Sequence, residues 1–235
     1  YRMRGDSKSG THIEVVTEGI LTRMLQSDPE LAGIGAVIFD EFHERSLNAD
    51  LGLALVWELR AVLRPDLLLL VMSATLDAAP VAAMLDNAPV ITSEGRSFPV
   101  TTHFLDRATP KGTSLEQACA DLVVQAVSQT TGGALVFLPG EGEIRRVQAA
   151  LHGRLPAGCE IRPLYGALPF KDQQAAIAPV ASGRKIVLST SIAETSLTIE
   201  DIRVVIDAGR ARRARFDPGS GMSRLVTERV SRAEA

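Results

Sequence analysis

Short apolar segments rich in Val, Ile and Leu recur along the chain, and most are followed by a polar or glycine-containing turn and a longer helical pattern. This alternation is typical of βαβ units with a parallel sheet. Apolar residues make up 46% of the chain and aromatic residues only 4%, so aliphatic side chains must fill the core, as in parallel sheets covered by helices. The pattern predicts strands at 13–16, 36–39, 67–72, 90–92, 134–138, 160–164, 185–189 and 204–206, and helices at 17–26, 50–63, 114–129, 141–154 and 170–178.

The length of the chain, 235 residues, exceeds the usual size of one domain and favours two compact units. Between residues 94 and 113 the periodicity is lost, and Gly95, Pro99, Pro110 and Gly112 accumulate. Such a segment is typical of a linker. We therefore predict a boundary near His103, with domains at 1–102 and 103–235.

The formal net charge of -3 argues against a protein that coats nucleic acid by bulk electrostatics, so any nucleic-acid contact must be local. Eight arginines and only three acids lie between Arg203 and Arg232. They form either a solvated face or a surface that meets phosphates.

Cys119 and Cys159 are far apart in the sequence, which favours neither a disulfide framework nor a zinc site and suits a reducing cytoplasm. No apolar run approaches the roughly 18 residues of a membrane helix, so we expect no membrane partner.

Two adjacent carboxylates, Asp40 and Glu41, directly follow the apolar strand predicted at 36–39. In parallel α/β sheets, ligands collect at the carboxyl ends of strands. One carboxylate can hold a hydrated Mg²⁺ on nucleotide phosphates, and the other can polarise the water that attacks the γ-phosphate. An isolated Asp-Glu pair more often caps the next helix. The chemical interpretation therefore depends on the motifs that follow.

Hydroxyl side chains follow two further predicted strands. Ser73 and Thr75 come after 67–72 and could relay hydrogen bonds from the acidic pair, although Ser-Ala-Thr is also an ordinary helix cap. Residues 189–198 contain six Ser or Thr and one glutamate, Glu194. Such hydroxyls can donate to phosphate and ribose oxygens, or they can satisfy the turns of their own loop.

Together these motifs resemble the DEAH-box ATP-dependent RNA helicases of superfamily 2. Asp40-Glu41-Phe42-His43 resembles the DEAH box, with Phe in the place of the usual Ala. Ser73-Ala74-Thr75 resembles motif III, Thr17-Glu18-Gly19 motif Ib, residues 135–140 the motif IV region and residues 189–198 motif V. Segments 40–47, 93–99 and 163–168 are more narrowly similar to the bacterial HrpB-type branch.

The resemblance implies an α/β fold of two tandem RecA-like domains, both incomplete, with parallel sheets flanked by helices. It implies that ATP or another nucleoside triphosphate, with Mg²⁺, drives movement along RNA or its unwinding. Glu41 would be the general base, Asp40 the Mg²⁺ anchor, largely through water, and His43 a link to the second domain, while Ser73 and Thr75 would couple hydrolysis to domain movement. The implied nucleotide contacts are Asp40, Glu41, Ile177, Ser196 and Asp207, and the implied contacts to single-stranded RNA are Thr17, Glu18, Gly19, Thr190, Glu194 and Thr195.

The sequence departs from the family pattern at several places. Ser191 stands where the family more often has Asn, and Ile177 stands where relatives stack an aromatic ring on adenine, which predicts a weaker grip on the base. No G-x-x-x-x-G-K-[ST] motif and no motif VI occur; the family order would put the first before Tyr1 and the second after Ala235. We therefore expect a fragment with negligible ATPase activity of its own.

Two other functions remain open from the sequence. A DNA-directed motor of the same superfamily is possible because hydroxyl and amide contacts to a backbone do not by themselves select ribose. A non-catalytic scaffold is the other possibility, but a scaffold has no need to keep Asp40 and Glu41.

Overall fold

The computed structural model describes residues 12–74, 78–95, 98–105, 110, 112–193 and 198–231. The chain forms two compact units, 1–99 and 100–235. Helices alternate with parallel strands in both, which confirms the predicted α/β class. Within the described residues, no helix is both long and apolar enough to cross a membrane.

The first unit contains a two-stranded parallel sheet. Its elements are α1 (Glu18–Ser27), β1 (Ala36–Phe39), a 3₁₀ turn (Phe42–Glu44), α2 (Leu47–Val62), β2 (Leu68–Val71) and α3 (Ala78–Met84). In β1, Val37 and Phe39 are buried in a core with Leu21 of α1 and Val56 of α2, while Ile38 is exposed. This alternation follows from the two-residue period of a strand, so one sheet face carries the core of this unit.

The second unit contains a four-stranded parallel sheet in the order β4-β5-β3-β6. Its elements are α4 (Leu115–Gln129), β3 (Gly133–Phe137), α5 (Glu141–Leu151), β4 (Cys159–Leu164), α6 (Phe170–Ile177), β5 (Arg184–Ser189), a 3₁₀ turn (Ser191–Ala193), β6 (Ile202–Asp207), β7 (Arg210–Asp217) and β8 (Met222–Arg229). The last two strands pair antiparallel as a separate hairpin.

Both faces of the four-stranded sheet are covered. On β5, Ile186 and Leu188 pack into the core that includes α4 and α5, whereas Val187 packs into a second cluster with Ala176 of α6. Burial on both faces explains why the two central strands, β3 and β5, are largely apolar in sequence. The carboxyl ends of β3, β5 and β6 meet at one edge, since Phe137 pairs with both Ser189 and Asp207.

Four features differ from the sequence prediction. The predicted strands at 13–16 and 90–92 are wrong: only an isolated bridge at Val16 is present, and Ile13 and Ile91 are 81% and 94% exposed. Apolar character alone does not make a strand where no neighbouring strand lies alongside. Helix α3 and the β7–β8 hairpin were not predicted.

Candidate functional site

The acidic pair lies at the carboxyl end of β1. Asp40 is exposed, and its Oδ1 accepts a hydrogen bond from the Glu41 backbone N–H at 2.9 Å. Glu41 has a left-handed backbone, with φ 51° and ψ 37°, which is uncommon for a residue with a side chain. This turn ends the strand and starts the 3₁₀ turn, so the acidic pair follows the sheet edge directly, as the sequence predicted.

Phe42 holds the turn in place from inside the protein. It is 4% exposed, and its ring packs edge-on against Phe39 with centroids 6.2 Å apart. Its backbone N–H donates to the Met72 carbonyl at 3.0 Å. The Arg45 guanidinium lies 5.4 Å from the Phe42 ring centroid and forms a forked bond to Asp50, at 3.0 and 2.8 Å. The turn is therefore tied to both β1 and β2.

His43 connects the acidic pair to the segment after β2. Its Nδ1 lies 3.3 Å from Glu41 Oε2 and 3.4 Å from the Ala74 backbone nitrogen. A protonated Nδ1 can donate to Glu41, whereas a bare Nδ1 can accept from Ala74, and one nitrogen cannot do both. Ser73 is exposed beside this contact. Thr75, predicted to couple the two domains, lies outside the described residues.

The acidic pair suits a magnesium ion that keeps most of its waters better than an ion bound entirely by protein ligands. Carboxylate oxygens are the ligands that Mg²⁺ prefers, and the ion keeps several waters when substrate phosphates also bind it. Among the described residues no group of three or more His, Cys, Asp or Glu side chains could hold a metal. The carboxylates of Asp40 and Glu41 are chemically suited to bind such an ion through its waters.

Thr17, Glu18 and Gly19, predicted to contact RNA, lie at the start of α1. Thr17 is the N-cap, and its side chain makes no capping hydrogen bond. A Cβ at Gly19 would meet no atom within 4 Å, so this turn is open. Helix N-termini favour anions, although the Glu18 carboxylate in the first turn opposes them.

Two further predicted residues lie at the carboxyl edge of the second sheet. Thr190 follows β5, and its backbone N–H donates to the Leu164 carbonyl at 3.1 Å. Asp207 ends β6, and its Oδ1 accepts from the Gly209 N–H at 2.7 Å. A groove runs along this edge, lined by Phe137, Leu138, Pro139, Ser191, Val205, Asp207, Arg210, Ala211, Arg212 and Val230. The predicted residues Glu194, Thr195 and Ser196 lie outside the described part of the chain.

Ile177 lies elsewhere on the second unit. It is the last residue of α6, its side chain is half-buried against the cluster that contains Val187, and its carbonyl accepts from Lys185 Nζ at 3.0 Å. Lys185 is near the amino end of β5. The structure therefore brings Thr190 and Asp207 to one edge of the sheet and Ile177 toward the opposite end of β5.

Sequence analysis missed Lys185 and the pair formed by Glu143 and Arg212. Lys185 is fully buried, and its Nζ donates to backbone carbonyls at the end of α6. A lysine near the start of an apolar strand could have indicated such a buried donor. Glu143 Oε1 lies 3.3 Å from Arg212 Nη2. The two residues are 69 positions apart, so spacing could not have indicated their contact.

Comparison with known proteins extends the similarity over nearly the whole chain. The family model described as helicase conserved C-terminal domain matches residues 116–229. The chain is 54% identical to the ATP-dependent RNA helicase HrpB of Escherichia coli K12, over 99% of this chain and 29% of that protein. It is 38% identical to the ATP-dependent RNA helicase HrpA of the same organism, over 96% of this chain and 17% of that protein.

Solved structures give the same result for the fold. A crystal structure of the E. coli DEAH/RHA helicase HrpB matches with a TM-score of 0.86 at 53% identity, over 97% of this chain and 29% of that chain. A second, described as the E. coli DExH-box NTPase HrpB, matches with a TM-score of 0.79 at 54% identity, over 94% and 27%. The chain thus spans less than a third of these relatives. By sequence and by fold, it belongs to the HrpB-like branch of the DEAH-box helicases.

Proposed function

We propose that this chain carries part of the nucleotide-hydrolysing and RNA-binding machinery of an ATP-dependent RNA helicase, with RecA-like domains at 1–102 and 103–235. The observation that supports this most directly is the turn after β1, where His43 Nδ1 approaches both Glu41 and the Ala74 backbone. Through His43, a carboxylate suited to act as a general base is linked to the segment after β2, whose position can respond to a shift of that carboxylate. The cytoplasmic location suggested by the separate cysteines remains a prediction.

Glu41 is the proposed general base. Its carboxylate can accept the proton of the water that attacks the γ-phosphate, and the nearby His43 restricts its orientation. One oxygen of Asp40 already accepts the Glu41 N–H, and the other can bind a water of the hydrated magnesium ion. Bound Mg²⁺ would neutralise charge on the phosphates.

The contact between His43 and Ala74 is the proposed coupling element. A shift of the Glu41 carboxylate changes the surroundings of the same ring nitrogen that faces Ala74. Ser73, one residue earlier, and Thr75, one residue later, would pass that change on as the domains move. Coupling of this kind needs a small displacement only, because both segments leave adjacent strands.

The proposed RNA contacts use mainly neutral donors. Thr17 and Gly19 would grip the sugar-phosphate backbone from the start of α1, with Glu18 beside them, and Thr190 would do so from the carboxyl edge of the second sheet. Hydroxyl and amide donors position a backbone without reading its sequence, which suits a motor that moves along many RNAs. Glu194 and Thr195 are further RNA candidates, and Ser196, Ile177 and Asp207 are the remaining nucleotide candidates.

A segment exchange with E. coli HrpB tests the proposal. This chain would replace the aligned segment of HrpB, and ATP hydrolysis would be measured without nucleic acid, with RNA and with DNA of the same sequence. We expect hydrolysis that RNA stimulates. Glu41→Gln should lower kcat by about 10²- to 10⁴-fold, the usual contribution of general base catalysis, without weakening ATP binding. Glu44→Gln is the matched control, because Glu44 is an exposed acid of the same 3₁₀ turn.

Each alternative predicts a different result. Full turnover by Glu41→Gln would remove Glu41 from its catalytic role. Equal stimulation by RNA and DNA would favour a DNA-directed or unselective motor. An exchange protein that is folded and binds RNA but hydrolyses no ATP, beside active HrpB, would favour a scaffold.

A further inference from the structure

The β7–β8 hairpin carries an unusual concentration of positive charge. Its register places Arg210 opposite Arg229 and Arg215 opposite Arg224, and like charges directly opposite each other destabilise a strand pair. Arg215 is compensated by a forked bond to Glu228, with both distances at 2.7 Å, but that bond lies within the hairpin. A two-stranded hairpin is marginally stable alone, so contacts with the rest of the unit must hold it in one orientation.

Arg212 makes such a contact. Its Nε faces Thr227 Oγ1 at 3.4 Å across the hairpin, while its Nη2 lies 3.3 Å from Glu143 Oε1 on α5. One guanidinium therefore bridges the two hairpin strands and the helix that follows β3. The Arg212 side chain is 41% exposed, and the Glu143 side chain is 12% exposed.

Glu143 is incompletely satisfied in this arrangement. Its Oε1 also accepts from Arg146 Nη2 at 2.8 Å, and Arg146 in turn bonds Glu116 at 2.8 Å. Its Oε2 is buried and is the one such side-chain atom in the described residues that has no hydrogen-bond partner. A buried carboxylate oxygen without a partner is costly, so a slightly closer, forked approach of Arg212 would be favourable.

Gly140 provides the space for this guanidinium. A Cβ at Gly140 would lie 2.8 Å from Arg212 Nη1 and 3.2 Å from Glu143 Oε2. The backbone of Gly140 is extended, with φ -172° and ψ 178°, so its conformation does not require glycine. The requirement comes from the close approach of the Arg212 side chain.

We propose that Glu143 and Arg212 form a latch that fixes the orientation of the β7–β8 hairpin, and that Gly140 is a glycine because the latch occupies the space of its side chain. Because Gly140 is the N-cap of α5 and Glu143 lies in the first turn of that helix, a shift of the β3–α5 turn would move the hairpin with it. Glu143 is thus a positioning residue for the hairpin arginines. The contribution of Glu143 to RNA binding depends on the proposed function being correct, whereas the existence of the latch is independent of that function.

Amide hydrogen exchange of this chain tests the latch. Gly140→Ala, Glu143→Gln and Arg212→Gln should each speed exchange in residues 210–229 on the order of fivefold, as expected when a modest ion pair restrains local opening. Exchange in β5 should not change. The double variant Glu143→Gln with Arg212→Gln should exchange no faster than the faster single variant, because both remove one interaction. Asp121→Asn is the matched control, since it breaks an Arg–carboxylate pair of the same unit, that with Arg154.

Two outcomes would overturn the latch: unchanged hairpin exchange in Gly140→Ala and Glu143→Gln, or additive effects in the double variant. Gly140→Ala is the decisive variant, because the three atoms nearest to the added methyl group belong to the side chains of Arg212 and Glu143, so the unit should remain folded. Binding of a labelled single-stranded RNA to the same variants then tests its purpose, with affinity expected to fall about threefold. Faster exchange with unchanged RNA affinity would remove the role in RNA binding, and failure of the parent chain to bind RNA would count against the proposed function without affecting the exchange result.

Discussion

Lys185 offers a sharp test of what holds the second unit together. It is fully buried, and its Nζ donates to the carbonyls of Ile177 and Ala178 at 3.0 and 2.7 Å. These carbonyls lie at the end of α6, where helical partners are missing and the helix dipole favours a cation. Lys185→Met keeps the approximate length and apolar stem of the side chain but removes the charged donor.

The expected loss can be estimated from these contacts. Leaving a buried carbonyl unsatisfied costs about 1–3 kcal/mol, and the cost is smaller here because Ile177 is half-buried and Ala178 is exposed to water. Loss of the cation at the helix end costs about 0.3–1 kcal/mol. Relief from burying an ammonium group offsets part of this. We expect a net loss of about 2 kcal/mol, which for a domain of this size lowers Tm by about 4–8 °C. Thermal unfolding followed by circular dichroism measures the change.

The control is Lys171→Met, the same substitution at an exposed position of α6, which should leave Tm within about 1 °C because surface changes are usually small. The pH dependence gives a second signature. Burial lowers the pKa of Lys185 below its usual value of 10.5, so the unfolded chain binds more protons between the two pKa values. This group therefore makes stability rise with pH through that window, and Lys185→Met should lose the rise. Equal Tm values for parent and variant would refute the assignment of Lys185 as the cap of α6.

Burial, and to a smaller extent the Glu116 and Asp207 carboxylates, raises the pKa of the Cys119 thiol to about 11, so only about one Cys119 side chain in 1,000 is a thiolate at pH 8. A thiol-specific reagent should therefore modify the partly exposed Cys159 well before Cys119. Equal rates for the two cysteines would contradict the burial of Cys119. Gly183 has φ +86°, and a Cβ there would overlap the carbonyl oxygen of Gly158, so Gly183→Ala should cost more than about 3 kcal/mol in denaturant unfolding. Gly33→Ala is its control, because Gly33 has a similar φ of +81° with open space around it; a similar loss in both would show that backbone strain alone decides.

The four-stranded parallel sheet was predictable because its central strands are buried on both faces. The predicted strands at 134–138 and 185–189 are centred on apolar residues for that reason, and the structure has strands at Gly133–Phe137 and Arg184–Ser189. The position of the acidic pair was predictable for a related reason. Polar residues that directly follow an apolar strand lie at the carboxyl end of that strand, which is where the structure has Asp40 and Glu41. Spacing could not reveal contacts such as that between Glu143 and Arg212, which depend on how the hairpin leaves the sheet.

The β7–β8 hairpin escaped prediction because it lacks the pattern of a half-buried strand. Most of its residues are exposed, and Arg213, Ala214 and Arg215 are consecutive exposed positions of β7, so no apolar alternation marks the strands. One signal was available: Asp217 is followed by Pro-Gly-Ser-Gly, a composition typical of tight turns. In the structure the Asp217 carbonyl accepts from Gly221 at 2.9 Å, which closes that turn.

Phe42 explains how the acidic site tolerates a strained backbone. A left-handed conformation at a residue other than glycine costs about 1–3 kcal/mol, and Glu41 adopts it immediately before the Phe42 ring enters the core. Burial of a phenylalanine contributes about 1.5–3 kcal/mol, which is enough to offset that strain. The alanine more usual in this family has a much smaller surface to bury. In this chain the departure from the family pattern therefore lies in how the turn is anchored, and the carboxylates on which the proposed chemistry depends keep their place at the end of β1.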